Sequence, residues 1–105
     1  QVYDVVWSGD RERGEDGRVP SVLDTVNPET ASYSNEFGAA TLSAVWVDPD
    51  FDSGHPAFYY VRVLEIPTPR HSTLDALALG LDARDTGHPV SIQERAYSSP
   101  IHYHP

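Results

Sequence analysis

"AFYYVRVLEI", residues 57–66, is apolar at both alternating sets of positions except for Arg62 and Glu65. A strand covered on both faces loses its polar alternation, so this stretch is predicted to be the central strand of a sheet. Just before it, "TLSAVWV", residues 41–47, sets Leu42, Ala44 and Trp46 on one side and Thr41, Ser43 and Val45 on the other. That is the alternation of a half-buried strand. Both tracts are rich in β-branched and aromatic residues, which suit a pleated surface. The polar loop between them, with Pro49, Gly54 and Pro56, makes the pair a long hairpin.

Outward from this hairpin, "VYDVVWS" at residues 2–8 alternates like another strand, and "SGDRERGEDGRVPS" has charge and glycine but no period. Residues 9–20 are therefore expected as an exposed acidic loop. "VLDTVNPET" offers a short strand that stops at Asn27 and Pro28, and "ASYSN" a further one. Past the hairpin, "HSTLDALALGLDA" carries the one helix signal, near residues 73–79. Ser72 is its expected N-cap with Asp75 at the third helical position, Leu74, Leu77 and Ala78 its apolar stripe, and Gly80 its stop. "VSIQERAYSSPIHYHP" supplies one strand to Tyr97 and a second from Ile101. The fold class is mainly β: one domain over residues 1–105, an antiparallel sheet or Ig-like β-sandwich with one short helix.

Sixteen acidic residues stand against seven arginines and no lysine, a formal charge of −9. This balance argues against nucleic acid and against an anionic membrane surface as partners, and no apolar run reaches bilayer length. With no cysteine, neither disulfides nor thiolate chemistry is available. There is no methionine, and Gln1 leads directly into a strand pattern, which points to an upstream segment, a whole domain in preference to a signal peptide.

Three groups of residues invite a chemical reading. Asp48, Asp50 and Asp52 in "DPDFDSG" have the alternate spacing by which calcium loops present oxygen ligands. Counted from Asp48, however, the glycine arrives one place late, and Tyr59 stands where a closing glutamate belongs. A turn tip accounts for the same residues. His102 and His104 form a His-x-His pair whose rings share one side of a strand, the geometry of two zinc ligands, with His55, His71 and His88 as possible thirds. Arg62, Glu94 and Arg95, charged residues in strands expected to be covered, read as structural ion pairs. Arg70, with Glu65 and His71 nearby, reads as a fork for a substrate anion at a loop mouth. No nucleophile elbow and no phosphate-cradling glycine loop is present.

"AFYYVRVLEIPTPRHSTLDA" and "IQERAYSSPIHY" resemble the C-terminal end of a large family of bacterial proteins catalogued as a domain of unknown function. "VYDVVWSGD", "ASYSN" and "WVDPDFD" are similar to other segments of that family, so the likeness covers most of the chain. His71 and His102 depart from it where the pattern usually has tryptophan, and His104 where it often has threonine. The N-terminal part of the family resembles PHP-type metallohydrolases. The resemblance therefore implies a non-catalytic C-terminal β domain with no cofactor of its own, its partner an N-terminal catalytic domain of the same protein carrying divalent metal. The other reading is an exported or periplasmic β-sandwich module whose acidic loop binds calcium.

Overall fold

A computed structural model describes residues 1–105. Its ordered pairing is confined to the second half of the chain. Six short strands, β1 (Ala57–Tyr59), β2 (Arg62–Leu64), β3 (Thr68–Pro69), β4 (Ser91–Ile92), β5 (Arg95–Tyr97) and β6 (Ile101–Tyr103), form three two-stranded antiparallel ladders. β1 pairs with β6, β2 with β5 and β3 with β4. The mainly β, antiparallel class with one short helix is what the structure shows.

β1 and β2 follow one another along residues 57–64, and β6 and β5 run back beside them, so two of the ladders make one twisted ribbon. The register changes between them. Tyr59 faces Ile101 and Arg62 faces Tyr97, which leaves three residues, 98–100, opposite two, 60 and 61. This is a β-bulge. Ser98 holds it closed, donating its N–H to Val61 O at 2.9 Å while its Oγ accepts from Val61 N at 2.8 Å. Pro100, which has no N–H to offer a ladder, sits inside the irregular stretch.

The third ladder leads into helix α1 (His71–Ala78). Pro69 biases Thr68 to extended backbone, and Arg70 is still extended, at φ −66° and ψ 153°, before the helix begins. Val90 O accepts from Arg70 N at 2.9 Å and from Thr73 Oγ1 at 2.7 Å, tying the first turn to the approach to β4. At the other end Gly80, at φ +68°, allows a Schellman closure, with Leu81 N donating to Ala76 O and Gly80 N to Leu77 O. A 3-10 turn (Ala83–Asp85) follows, capped by the Asp82 carboxylate on Arg84 N at 2.9 Å.

Gly80 stops the helix as the sequence indicates, but its start and buried face differ from expectation. The N-cap is Arg70 with no side-chain bond, not Ser72. Thr73 (0% exposed) and Ala76 (3%) turn inward with Ala83 (3%), while Leu74 and Leu77 face solvent. Small residues at this spacing let the helix approach the 3-10 turn and the β3–β4 ladder closely. The leucines stay 47% and 45% exposed.

Those three residues are the only buried ones in the chain. "AFYYVRVLEI" is consequently not a central strand: its ladders are two-stranded, and β2 is exposed at all three positions. Residues 2–8 and 41–47 form no strand, and residues 22–35 contribute only the single bridge Asn27–Ser32, turned by Ala31 at φ 51°. A β-patterned tract becomes a strand only where a neighbour completes its hydrogen bonds. The radius of gyration is 18.2 Å, against about 13 Å for a compact chain of this length. The accessible surface is 8132 Å², against about 5,800 Å² for a compact protein of 11.6 kDa.

Candidate functional site

Most residues singled out in the sequence fall on the two sides of the ribbon and on the loop beside it, while Arg70 and His71 lie at the start of α1. On the outer side, Phe58 faces His102 and Arg62 faces Tyr97 across the strands. Tyr60, two residues from each of Phe58 and Arg62, belongs to the same side. The rings form a continuous row. Tyr97 to Tyr60 is 6.2 Å between centroids, Tyr60 to Phe58 6.4 Å, Phe58 to His102 6.1 Å and His102 to His104 6.2 Å. Every ring in it is exposed. Arg62 and Arg95 flank it on the same side, since Arg95 is two residues from Tyr97 and opposite Leu64.

Glu65 and Glu94 oppose each other where the β2–β5 ladder ends, Glu65 N donating to Glu94 O at 3.0 Å. Alternation sends their carboxylates to the side away from Arg62 and Arg95. The ion pairs expected among Arg62, Glu94 and Arg95 are therefore absent, because oppositely charged groups stand on opposite sides of the ribbon and all are solvated. Solvated charges need no partner.

Arg70, Glu65 and His71 are not joined by any hydrogen bond or ion pair. Arg70 is the partly exposed N-cap of α1, and His71 Nε2 reaches forward to Asp75 Oδ2 at 3.3 Å. Two shallow clefts, of about 280 and 270 Å³, lie elsewhere: one between Pro28 and the Leu77–Arg84 stretch, the other between Ser8–Arg11 and Phe37.

The inner side of the ribbon is covered by the loop and the segment before it. Trp46 lies between Tyr3 and Tyr59, at 5.1 and 6.2 Å between centroids, and Phe51 meets Tyr103 edge-on at 5.0 Å. The aspartates lock this cluster. Asp48 accepts from Tyr59 Oη at 2.7 Å and from Asp50 N at 2.9 Å, and Asp50 accepts from Tyr3 Oη. Asp52 accepts from Gly54 N at 2.8 Å and lies 2.8 Å from His55 Nδ1. Those two contacts hold the Asp52 carboxyl below its ordinary range. The hydrogen bond to Asp50 pushes the Tyr3 phenol up to about 12, and Asp48 raises Tyr59 in the same direction. The three carboxylates thus serve separate partners, and no group of three or more His, Asp or Glu residues converges on a point that could hold a metal ion. His102 and His104 share a side as the spacing indicates, their rings nearly parallel, with no third ligand.

Residues 9–20 lack helix and strand, and arginines fold them back on the N-terminal segment. Arg18 grips Asp4 with two nitrogens, at 2.9 and 3.1 Å, and Val19 N donates to the same carboxylate at 2.8 Å. Partial burial pushes the Asp4 carboxyl up, but the Val19 and Arg18 bonds outweigh it and leave it below its ordinary range. Arg13 lies 5.4 Å above the Trp7 ring.

The aromatic row is the feature that sequence reading missed. Its members were visible as residues, but the bulge that aligns them was hidden in "SSP", an ordinary turn signal. No curated protein and no solved structure matches the chain. The family model described as "Protein of unknown function (DUF3604)" matches residues 1–105, and the chain belongs to that family.

Proposed function

We propose that the chain is a non-catalytic β unit of a larger PHP-like, metal-dependent hydrolase of phosphoesterase type, docked against the catalytic domain of the same polypeptide. One observation carries this reading: only 3 of 105 residues are buried. A surface roughly 2,300 Å² larger than that of a compact chain is of the size that permanent interfaces remove from water. An isolated binding module would expose far less. The His, Asp and Glu residues of this chain do not converge in threes, so in this reading the metal and its activated water belong to the partner domain. The unit's own contribution is structural, and Arg70, unpaired at the start of α1, is its best candidate for reaching a substrate anion.

The experiment is an assay of the purified chain on an activated phosphodiester with manganese or zinc, beside the intact polypeptide. No turnover is expected from the chain, and chelator-sensitive turnover from the intact polypeptide. Hydrolysis by the chain alone would overturn the reading.

A further inference from the structure

Residues 41–47, "TLSAVWV", combine the strongest alternating pattern of the first half with a backbone that bonds to nothing in the chain. Their side chains nonetheless alternate in space. Trp46, 37% exposed, turns in to Tyr3 and Tyr59, while Val45 at 97% and Val47 at 80% stand outside. The whole chain has 26 backbone–backbone hydrogen bonds, where a folded chain of its length has about 70. Peptide groups without partners are costly unless water or another chain satisfies them.

The segment also lacks the devices that protect a free edge. It contains no charge, proline or glycine, and so has the composition of an aggregation-prone window.

We infer that residues 41–47 are a strand completed by β-augmentation: a strand of the larger catalytic body pairs with their free backbone, and that body's apolar surface covers Val45 and Val47. The inference rests on the docking read above and names where docking occurs. The occupant is a larger body rather than a second copy for two reasons. Each copy carries −9, and residues 1–56 alone hold eleven acids against three arginines, so two copies repel. The surplus surface on this one chain, roughly 2,300 Å², is also well above the roughly 800 Å² that each partner contributes to a standard interface. A partner with a free sheet edge and a neutral to basic rim fits both facts.

Hydrogen exchange read by mass spectrometry, on the chain alone and on the intact polypeptide, tests this. In the intact polypeptide the amides of residues 41–47 are expected to exchange at least about 100-fold more slowly than in the chain alone. If other surfaces gain protection and this segment does not, strand addition is wrong while docking stands. If no segment of the chain gains protection, docking itself fails, and the inference with it. Concentration-dependent protection of the segment in the chain alone would identify a second copy as the occupant and overturn the inference. Two variants guard the result. Ala44→Pro and Val45→Pro remove neighbouring N–H groups that point to opposite edges, and neither breaks a bond within the chain. One of them should abolish the protection in the intact polypeptide while leaving the circular dichroism of the chain alone unchanged. Protection that survives both would overturn the pairing.

Discussion

Residues 57–103 contain all six strands and the helix, whereas residues 1–56 contain one isolated bridge, although both stretches carry β-patterned tracts. The difference is one of partners. "AFYY" and "RVL" find complements in "IHY" and "RAY", and the helix finds small residues to close upon. "VYDVV" and "TLSAVWV" find no strand to pair with, only side-chain contacts such as the rings of Tyr3 and Trp46 and the Asp4–Arg18 clasp. Charge follows the same divide: eleven acids against three arginines before residue 57, five against four after it. The second half carries the paired backbone and the three buried residues, and the first is held to it by side chains.

The sharpest way to break this contrast is to disturb the buried cluster. Ala76→Leu forces added methyl groups between α1 and the 3-10 turn and should cost about 1–3 kcal/mol. Val45→Ala, in the half without ladders, should stay within about 0.5 kcal/mol. Urea midpoints followed by circular dichroism compare the two, and equal losses would mean that the halves fold as one unit.

Gly80→Ala comes next. A Cβ there meets nothing within 4 Å, so its effect isolates the left-handed backbone, at about 1–2 kcal/mol. No measurable loss in the same urea titration would mean that the Schellman closure does not hold the helix end.

The side-chain locks of the first half should appear mainly as titrations. With the Tyr3 phenol raised from 10.0 to about 12, the stability it contributes is complete below pH 10 and is lost as pH rises through about 12. Phenolate absorbance should show one tyrosine titrating that late, and Asp50→Asn should return it toward 10. For Asp4 the sign is reversed. Its carboxyl is depressed below 3.8, so its clasp on Arg18 and Val19 holds above that pH and opens as pH falls through the lower folded value. Proteolysis within residues 9–20 should accelerate there, and Asp4→Asn should bring the acceleration to neutral pH. Least of all, millimolar calcium should leave the melting temperature of the chain unmoved, because Asp48, Asp50 and Asp52 are committed to different partners.

Legibility in the sequence followed the same divide. Gly80 as a helix stop and the strands around Phe58, Val63, Ala96 and His102 were readable, because local pattern and local partner coincide there. The central placing of "AFYYVRVLEI" was inferred from apolarity on both sides, and apolarity marks surfaces that are to be covered without saying by what. The Leu74 and Leu77 stripe misled for the same reason, and Thr73 and Ala76, the residues that do close the helix, carry little hydrophobic signal. For the charged residues, a count of opposite signs was legible in Arg62, Glu94 and Arg95. Which side of the ribbon each would occupy was not.

The irregular step at residues 98–100 has one last consequence, concerning odd and even. Because one strand carries an extra residue, odd-numbered Tyr97 and even-numbered His102 and His104 share a surface with Phe58 and Tyr60. In a regular ladder running on from Tyr97 with every residue kept, Ile101 and Tyr103 would face outward and both imidazoles would turn toward Trp46 and Phe51; deleting Ser99 would instead make the pairing regular and leave His102 beside Phe58. The bulge is therefore the device by which an odd-numbered and an even-numbered set share one outside surface.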